Sequence, residues 1–342
     1  MAEHFWLGMA IIIVSGALNG NFALPMKYAR RWRWENTWLV FAFTALLLLP
    51  WVLALSFVPG VGELYGEVPR RVLLYPLLFG FLWGIAQATF GLSIKAVGMA
   101  FAFAIVSGLG CLLGSLIPIL ASNPADLFRP RGLLLLASLP ILFPGLVLYS
   151  LAGRRREKEQ AADNGPADAA TMSFAAGLAI TIFTGVFGAN INLGFASGGN
   201  LVQRSIEDGI NPAAATYPVW ALVLGAGFLP NLFYCVYLLF RNRAWPVFGE
   251  TGWAKEAALS VAMALLWLGG IVCYGIGATL AGRYGTSVGF ALFSASNVLS
   301  ANLSGVLTGE WKSTSRQTRN LLAIGMAAIL VAIVVLNLGG LF

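Results

Sequence analysis

Charged residues divide this chain into blocks. Between them run ten stretches of 22 or more residues free of Asp, Glu, Lys and Arg, at 4–26, 36–62, 72–94, 96–125, 132–153, 169–203, 209–240, 257–282, 284–309 and 320–342. A helix rising about 1.5 Å per residue needs roughly 20 apolar residues to cross a hydrocarbon core of about 30 Å. The pattern therefore predicts an all-α membrane protein of ten transmembrane helices, with no soluble domain large enough to hold separate chemistry. The first run begins with Glu3 and His4 where a signal peptide would have a basic stretch, and it lacks an Ala-x-Ala end, so it reads as a retained helix.

One polar stretch, 154–171, interrupts the apolar runs at mid-chain and carries Asn164, Gly165 and Pro166. It divides the chain into a first five-helix unit at 1–153, a linker at 154–171 and a second five-helix unit at 172–342. The halves share patterns. A shift of 169 overlays 8–24 on 177–193 with Gly8/Gly177, Gly16/Gly185, Asn21/Asn190 and Leu24/Leu193 among the identities, and a shift of 186 matches Leu82, Gly84, Ile85 and Gly91 to Leu268, Gly270, Ile271 and Gly277. In each half a single basic residue, Lys95 or Arg283, separates the third helix from the fourth. An odd number of spans per repeat makes the second copy enter the membrane upside down. Inverted repeats of this kind characterise secondary transporters, whose site lies near the midplane between the halves.

Charge then orients the bundle. Of the 21 Lys and Arg residues, 15 fall in the loops after helices 1, 3, 5, 7 and 9, and six fall on the other side. The positive-inside rule puts the basic loops in the cytoplasm and both termini outside, as expected for a multi-pass protein of a bacterial inner membrane. The pI near 9.5 is thus a matter of topology, and a nucleic-acid partner is excluded along with an ordinary soluble enzyme, since 10% of residues are charged against about 25% in soluble domains. The cysteines, Cys111, Cys235 and Cys273, fall singly and only one histidine is present, so neither a metal cluster, a disulfide framework nor a Ser-His-Asp set is expected, and no cofactor is implied.

Glycine is abundant at 40 residues. Gly84, Gly91 and Gly98 recur every seven positions as one stripe on a helix face, suited either to tight helix packing or to sliding during alternating access.

Polar side chains away from helix ends are costly in lipid and hence informative. They are Asn19 and Asn21 in helix 1, Gln87 and Thr89 in helix 3, Asn190 and Asn192 in helix 6, Asn231 in helix 7, and Ser294, Ser296, Asn297 and Asn302 in helix 9. Amides and hydroxyls suit a small neutral sugar, because each amide offers both donor and acceptor functions, whereas an anionic substrate would call for an intramembrane arginine. The pairs Asn19/Asn21 and Asn190/Asn192 lie about 200° apart on an ideal helix and share a cavity only if the helix is interrupted there, as the flanking Gly16, Gly20, Pro25, Gly188 and Gly194 suggest. The alternative is that they hydrogen-bond neighbouring helices. Trp83, Trp220 and Trp267 lie deep enough to stack on a sugar face, or to serve as ordinary packing. No carboxylate sits inside a span, so the candidates for proton coupling are Glu35 and Glu310 at span edges, where loop ion pairs are the competing reading.

These residues resemble the L-rhamnose–proton symporters of the drug/metabolite transporter superfamily. The resemblance runs through Pro25-Met26-Lys27, Trp32-Arg33-Trp34-Glu35-Asn36-Thr37-Trp38, Leu49-Pro50-Trp51, Trp83-Gly84-Ile85, Gly91-Leu92, Gly98-Met99 and Glu310-Trp311. It implies ten helices in two inverted five-helix repeats and uptake of a deoxysugar such as L-rhamnose with a proton. A uniporter or exporter of another polar metabolite, and a non-transporting membrane sensor or scaffold, are the alternatives that composition leaves open.

Overall fold

The computed structural model describes residues 2–97, 99–164, 174–309, 311 and 314–338, and among these it contains helices and turns but no strand. Ten of its helical segments are long and apolar enough to cross a membrane: span 1 (His4–Met26), span 2 (Trp34–Phe57), span 3 (Arg70–Ser93), span 4 (Ile105–Ser122), span 5 (Gly132–Arg156), span 6 (Ala175–Glu207), span 7 (Ala214–Arg241), span 8 (Trp253–Leu280), span 9 (Val288–Leu307) and span 10 (Arg316–Val335). The charge-free runs thus located every span. Large apolar side chains such as Leu55, Phe233, Phe240, Leu265 and Ile324 point outward, as a bilayer requires.

Local sequence explains where the helices depart from regularity. Pro50 has no N–H for the carbonyl of Leu46 and its ring crowds that carbonyl, and span 2 accommodates this by widening to a π-helix over Phe43–Leu48. Span 6 is discontinuous, running as Phe174–Gly188, Asn190–Ser197 and Gly199–Glu207. The α-helix of span 1 ends at Gly20, followed by a turn and a 3-10 helix at Leu24–Tyr28. The first break in span 6 falls at Ala189, which the 169-residue shift places opposite Gly20. Span 5 differs from expectation at its end, because its helix continues through the polar stretch to Asn164. Arg, Glu, Lys, Gln and Ala are all strong helix formers, so RRREKEQAA extends the helix beyond the membrane.

The spans pair in a regular way. Span 1 packs on spans 8 and 9, and span 6 packs on spans 3 and 4; span 3 packs on span 7, and span 8 on span 2; spans 4 and 5 adjoin as do spans 9 and 10; and span 5 packs along span 10. Replacing every span by the one five places along the chain leaves this set of pairings unchanged. The close approaches are made by glycine. Gly8 and Gly277 face each other across spans 1 and 8, so that a Cβ on either would come within 2.7 Å of the other's carbonyl oxygen, and Gly80 and Gly84 set span 3 directly on the backbone of span 7. The stripe divides at this point. Gly91 has open space where a Cβ would stand, and Gly98 lies outside the described residues.

Candidate functional site

Close seating of span 3 on span 7 fixes the position of Trp83. Gly227 leaves room for its indole, a Cβ there falling 2.7 Å from the ring, and Trp83 stacks on Trp267 with centroids 5.7 Å apart and planes 21° apart. Both indoles are buried, one from each half of the chain. Phe41 meets Trp267 edge-on at 6.1 Å. Offset stacking and edge contacts of this kind are the favoured aromatic geometries.

Amides surround this pair. Asn19 donates from Nδ2 to the Trp267 carbonyl at 3.4 Å, and its Oδ1 accepts from Asn297 Nδ2 at 3.0 Å. Spans 1, 8 and 9 are thereby tied together beside the indoles. Asn231 accepts from Trp38 Nε1 at 3.1 Å and donates to the Gly227 carbonyl at 2.9 Å. Gln87, one helical turn beyond Trp83, is half-buried and makes no hydrogen bond among the described residues. Two residues on, Thr89 shares a hydrogen bond at 2.7 Å with Thr184 of span 6, which ties span 3 to the segment that precedes the break at Ala189. There Asn190, buried, donates to the Phe187 carbonyl at 2.8 Å, and no donor reaches its Oδ1 among the described residues. The centre therefore holds two stacked, buried indoles beside neutral amide groups. Among the described residues the buried carboxylates, Glu35, Asp126 and Glu256, all stand at the ends of spans.

Other expected site residues go elsewhere. Asn21 lies past the end of the span 1 α-helix, donates to the Ala17 carbonyl at 2.8 Å and to Ser300 Oγ at 2.7 Å, and accepts from Ser304, so it fastens span 1 to span 9. Asn192 donates to the carbonyls of Gly114 and Thr286, each at 2.6 Å, and accepts from the Tyr274 hydroxyl. Trp220 lies flat on Phe195 with centroids 4.5 Å apart, and its buried Nε1 has no partner among the described residues. Ser294 is partly exposed beside Cys111. Glu310 lies outside the described residues.

On the face that carries the basic loops, the segment between spans 1 and 2 is held against the turn between spans 7 and 8. Glu35 is buried, and its Oε1 accepts from Asn242 Nδ2 at 2.8 Å. Arg33 donates to the Asn242 carbonyl at 2.7 Å, Asn36 to the Ala244 carbonyl at 3.0 Å, and Arg31 to the Thr251 carbonyl. The Arg30 backbone N–H donates to Glu256 Oε1 at 3.2 Å, while the buried Glu256 Oε2 has no partner among the described residues. Sequence reasoning missed Glu256 because it terminates a charge-free run. The signal was Gly252-Trp253, since the glycine in left-handed conformation starts span 8 and puts Glu256 in its first turn.

Comparison with known proteins places this geometry. A family model described as L-rhamnose-proton symport protein (RhaT) matches residues 1–341. Curated relatives named L-rhamnose-proton symporter align over nearly their whole length. The one from Cronobacter sakazakii is 24% identical with 99% of each chain covered, the one from Mannheimia succiniciproducens is 26% identical with 99% of each covered, and the one from Yersinia pestis is 24% identical with 97% of each covered.

Proposed function

The chain belongs to the L-rhamnose-proton symport protein family, and on that premise we propose that it imports a small neutral sugar of the L-rhamnose type together with a proton, by alternating access. The observation that carries this reading is the Trp83–Trp267 pair, which brings one indole from each half together amid uncharged amides. A deoxysugar presents C–H and methyl faces that stack on indole and hydroxyls that pair with Gln87, Asn190, Asn19 and Asn297. Separating the two indoles opens the place where the ring sits. Asn21, Asn192, Trp220 and Ser294 then hold helices or aromatic clusters in position around it.

The halves, 1–153 and 172–342, act as inverted repeats in this scheme. Supporting this are the exchange of span pairings and the matched interruptions at Gly20 and Ala189. The membrane is the bacterial inner membrane, with the basic loops in the cytoplasm and both termini outside. Glu35 carries the coupling proton on the cytoplasmic side, and Glu310 belongs to the same side.

The test is uptake in proteoliposomes. L-rhamnose should accumulate when the lumen is more alkaline than the medium, and anionic sugars should not. Trp267→Ala should abolish binding, and Glu35→Gln should abolish accumulation while sparing sugar exchange. Accumulation that persists in Glu35→Gln removes that residue from the coupling path. Equal uptake in the presence and absence of a pH gradient replaces symport by facilitated transport.

A further inference from the structure

Opposite the cytoplasmic patch, a buried carboxylate ties the two halves together. Asp126, in the loop between spans 4 and 5, has a side chain only 6% exposed, and its Oδ1 takes Arg129 Nε at 3.1 Å, Asn123 Nδ2 at 3.1 Å and Arg283 Nη2 at 3.2 Å. The first two partners come from its own loop. Arg283 comes from the turn between spans 8 and 9, in the other half, and is itself aimed by Tyr284, whose hydroxyl accepts from Nη2 at 2.9 Å and whose ring lies 4.9 Å beneath the guanidinium. That turn is built to hold the arginine in one place. Gly282 takes φ +68°, and a Cβ on Gly285 would run into the Ala278 carbonyl.

A second ion pair between halves on this face, Glu67 with Arg204 at 3.3 Å, has both side chains about half exposed. Exposed pairs contribute little, whereas a nearly buried carboxylate that loses one of its cations does not regain water. Of the two ion pairs, Asp126–Arg283 is therefore the one that resists separation of the halves.

We propose that the Asp126–Arg283 ion pair is the outer latch of the transport cycle, closed when the site faces inward and broken when it faces outward. The proposal rests on the alternating-access reading above. It separates two arginines that touch the same oxygen: Arg283 bridges halves and gates, while Arg129 stays within its own loop and does not.

The experiment uses full-length protein in proteoliposomes with Ser287→Cys as reporter, a position buried just beyond the latch turn. Labelling by a membrane-impermeant thiol reagent from the outer face should rise roughly tenfold or more in Asp126→Asn and Arg283→Gln, the scale set by loss of a hydrogen bond to a charged group. Arg283→Lys should restore slow labelling, and Arg129→Gln should match the parent. Unchanged labelling in Arg283→Gln overturns the latch, as does an equal rise in Arg129→Gln. Labelling reads the latch without sugar, so failure of uptake in the parent protein counts against the transport reading alone. Size-exclusion profiles and melting temperatures exclude unfolding as the cause of labelling.

Discussion

Adding one methyl group at Gly84 and the same group at Gly91 should have opposite consequences, although the two residues share a stripe seven positions apart. At Gly84 a Cβ would lie 2.8 Å from the Gly227 Cα and closer still to the Gly227 carbonyl oxygen, and both are backbone atoms that no rotamer change can move. Ordinary carbon contacts begin near 3.5 Å, so span 3 must withdraw from span 7 by most of an ångström. Forcing an extra group into a packed interface costs about 1–3 kcal/mol. Alanine recovers about 1 kcal/mol of helix propensity over glycine, which leaves Gly84→Ala roughly neutral to 2 kcal/mol less stable. Gly91 has nothing within 4 Å of the same position, so Gly91→Ala keeps the propensity gain without the clash. Propensity cancels in the comparison, and the difference of about 1–3 kcal/mol isolates packing. Reversible unfolding in mixed micelles measures it. Because Trp83 adjoins Gly84, the destabilised variant should also bind sugar more weakly. Equal unfolding midpoints for the two variants would refute the claim that span 3 rests on the span 7 backbone at Gly84.

Asn21→Ala should lower stability by about 1 kcal/mol, two interhelical hydrogen bonds at about 0.6 kcal/mol each, and leave sugar affinity unchanged, whereas Asn19→Ala should weaken binding as well, because Asn19 is bonded to the Trp267 carbonyl and to Asn297. Calorimetric binding with the sugar separates the two. Glu159, beyond the membrane at the end of span 5, accepts from the Ser315 hydroxyl at 2.7 Å, the Ser315 backbone N–H at 2.9 Å and the Thr318 hydroxyl at 2.7 Å, and these bonds hold its carboxyl below the usual carboxylate range, the Ser315 hydroxyl most of all. A depressed folded value stabilises above the unfolded value and is lost as pH falls through the folded one. Glu159→Gln should therefore melt below the parent at pH 7 and converge with it in acid, which a melting series against pH checks.

Spans were legible because hydrocarbon thickness imposes one length on every helix, and charge marks the ends. Which glycine makes a contact was not legible, because a heptad stripe gives the face but not the partner's height. Gly84 meets span 7 and Gly91 meets open space on the same face. The polar stretch after Gly153 reads as a linker from its charges and Asn164-Gly165-Pro166, but helix formers fill it and the helix of span 5 runs on to Asn164. Asparagines were legible as important and ambiguous as to role, since an amide can satisfy a helix carbonyl or a sugar hydroxyl with the same atoms. Only the partners distinguish them. Asn21 and Asn192 are saturated by protein, while Gln87 and one atom of Asn190 are not.

The placement of charge sets what kind of coupling the bundle can use. Trp83, Trp267, Asn19 and Asn297 are uncharged, and the buried carboxylates among the described residues stand at the membrane faces, where Glu35 and Glu256 hold the first loop to the span 7–8 turn and Asp126 holds the second half by Arg283. On the symport reading, sugar and proton therefore do not share a pocket. A bound sugar influences a carboxylate only by moving the helices that connect them, and span 8 connects both, with Trp267 at its middle, Glu256 in its first turn and Arg283 just past its end. A shift of span 8 that parts the two indoles also alters the surroundings of Glu256 and Arg283. Coupling of this form is reciprocal: protonation at the face must favour the same position of span 8 that sugar favours at the centre. On the symport reading, sugar affinity should then depend on pH in the wild type and lose that dependence in Glu35→Gln, the residue proposed to carry the proton.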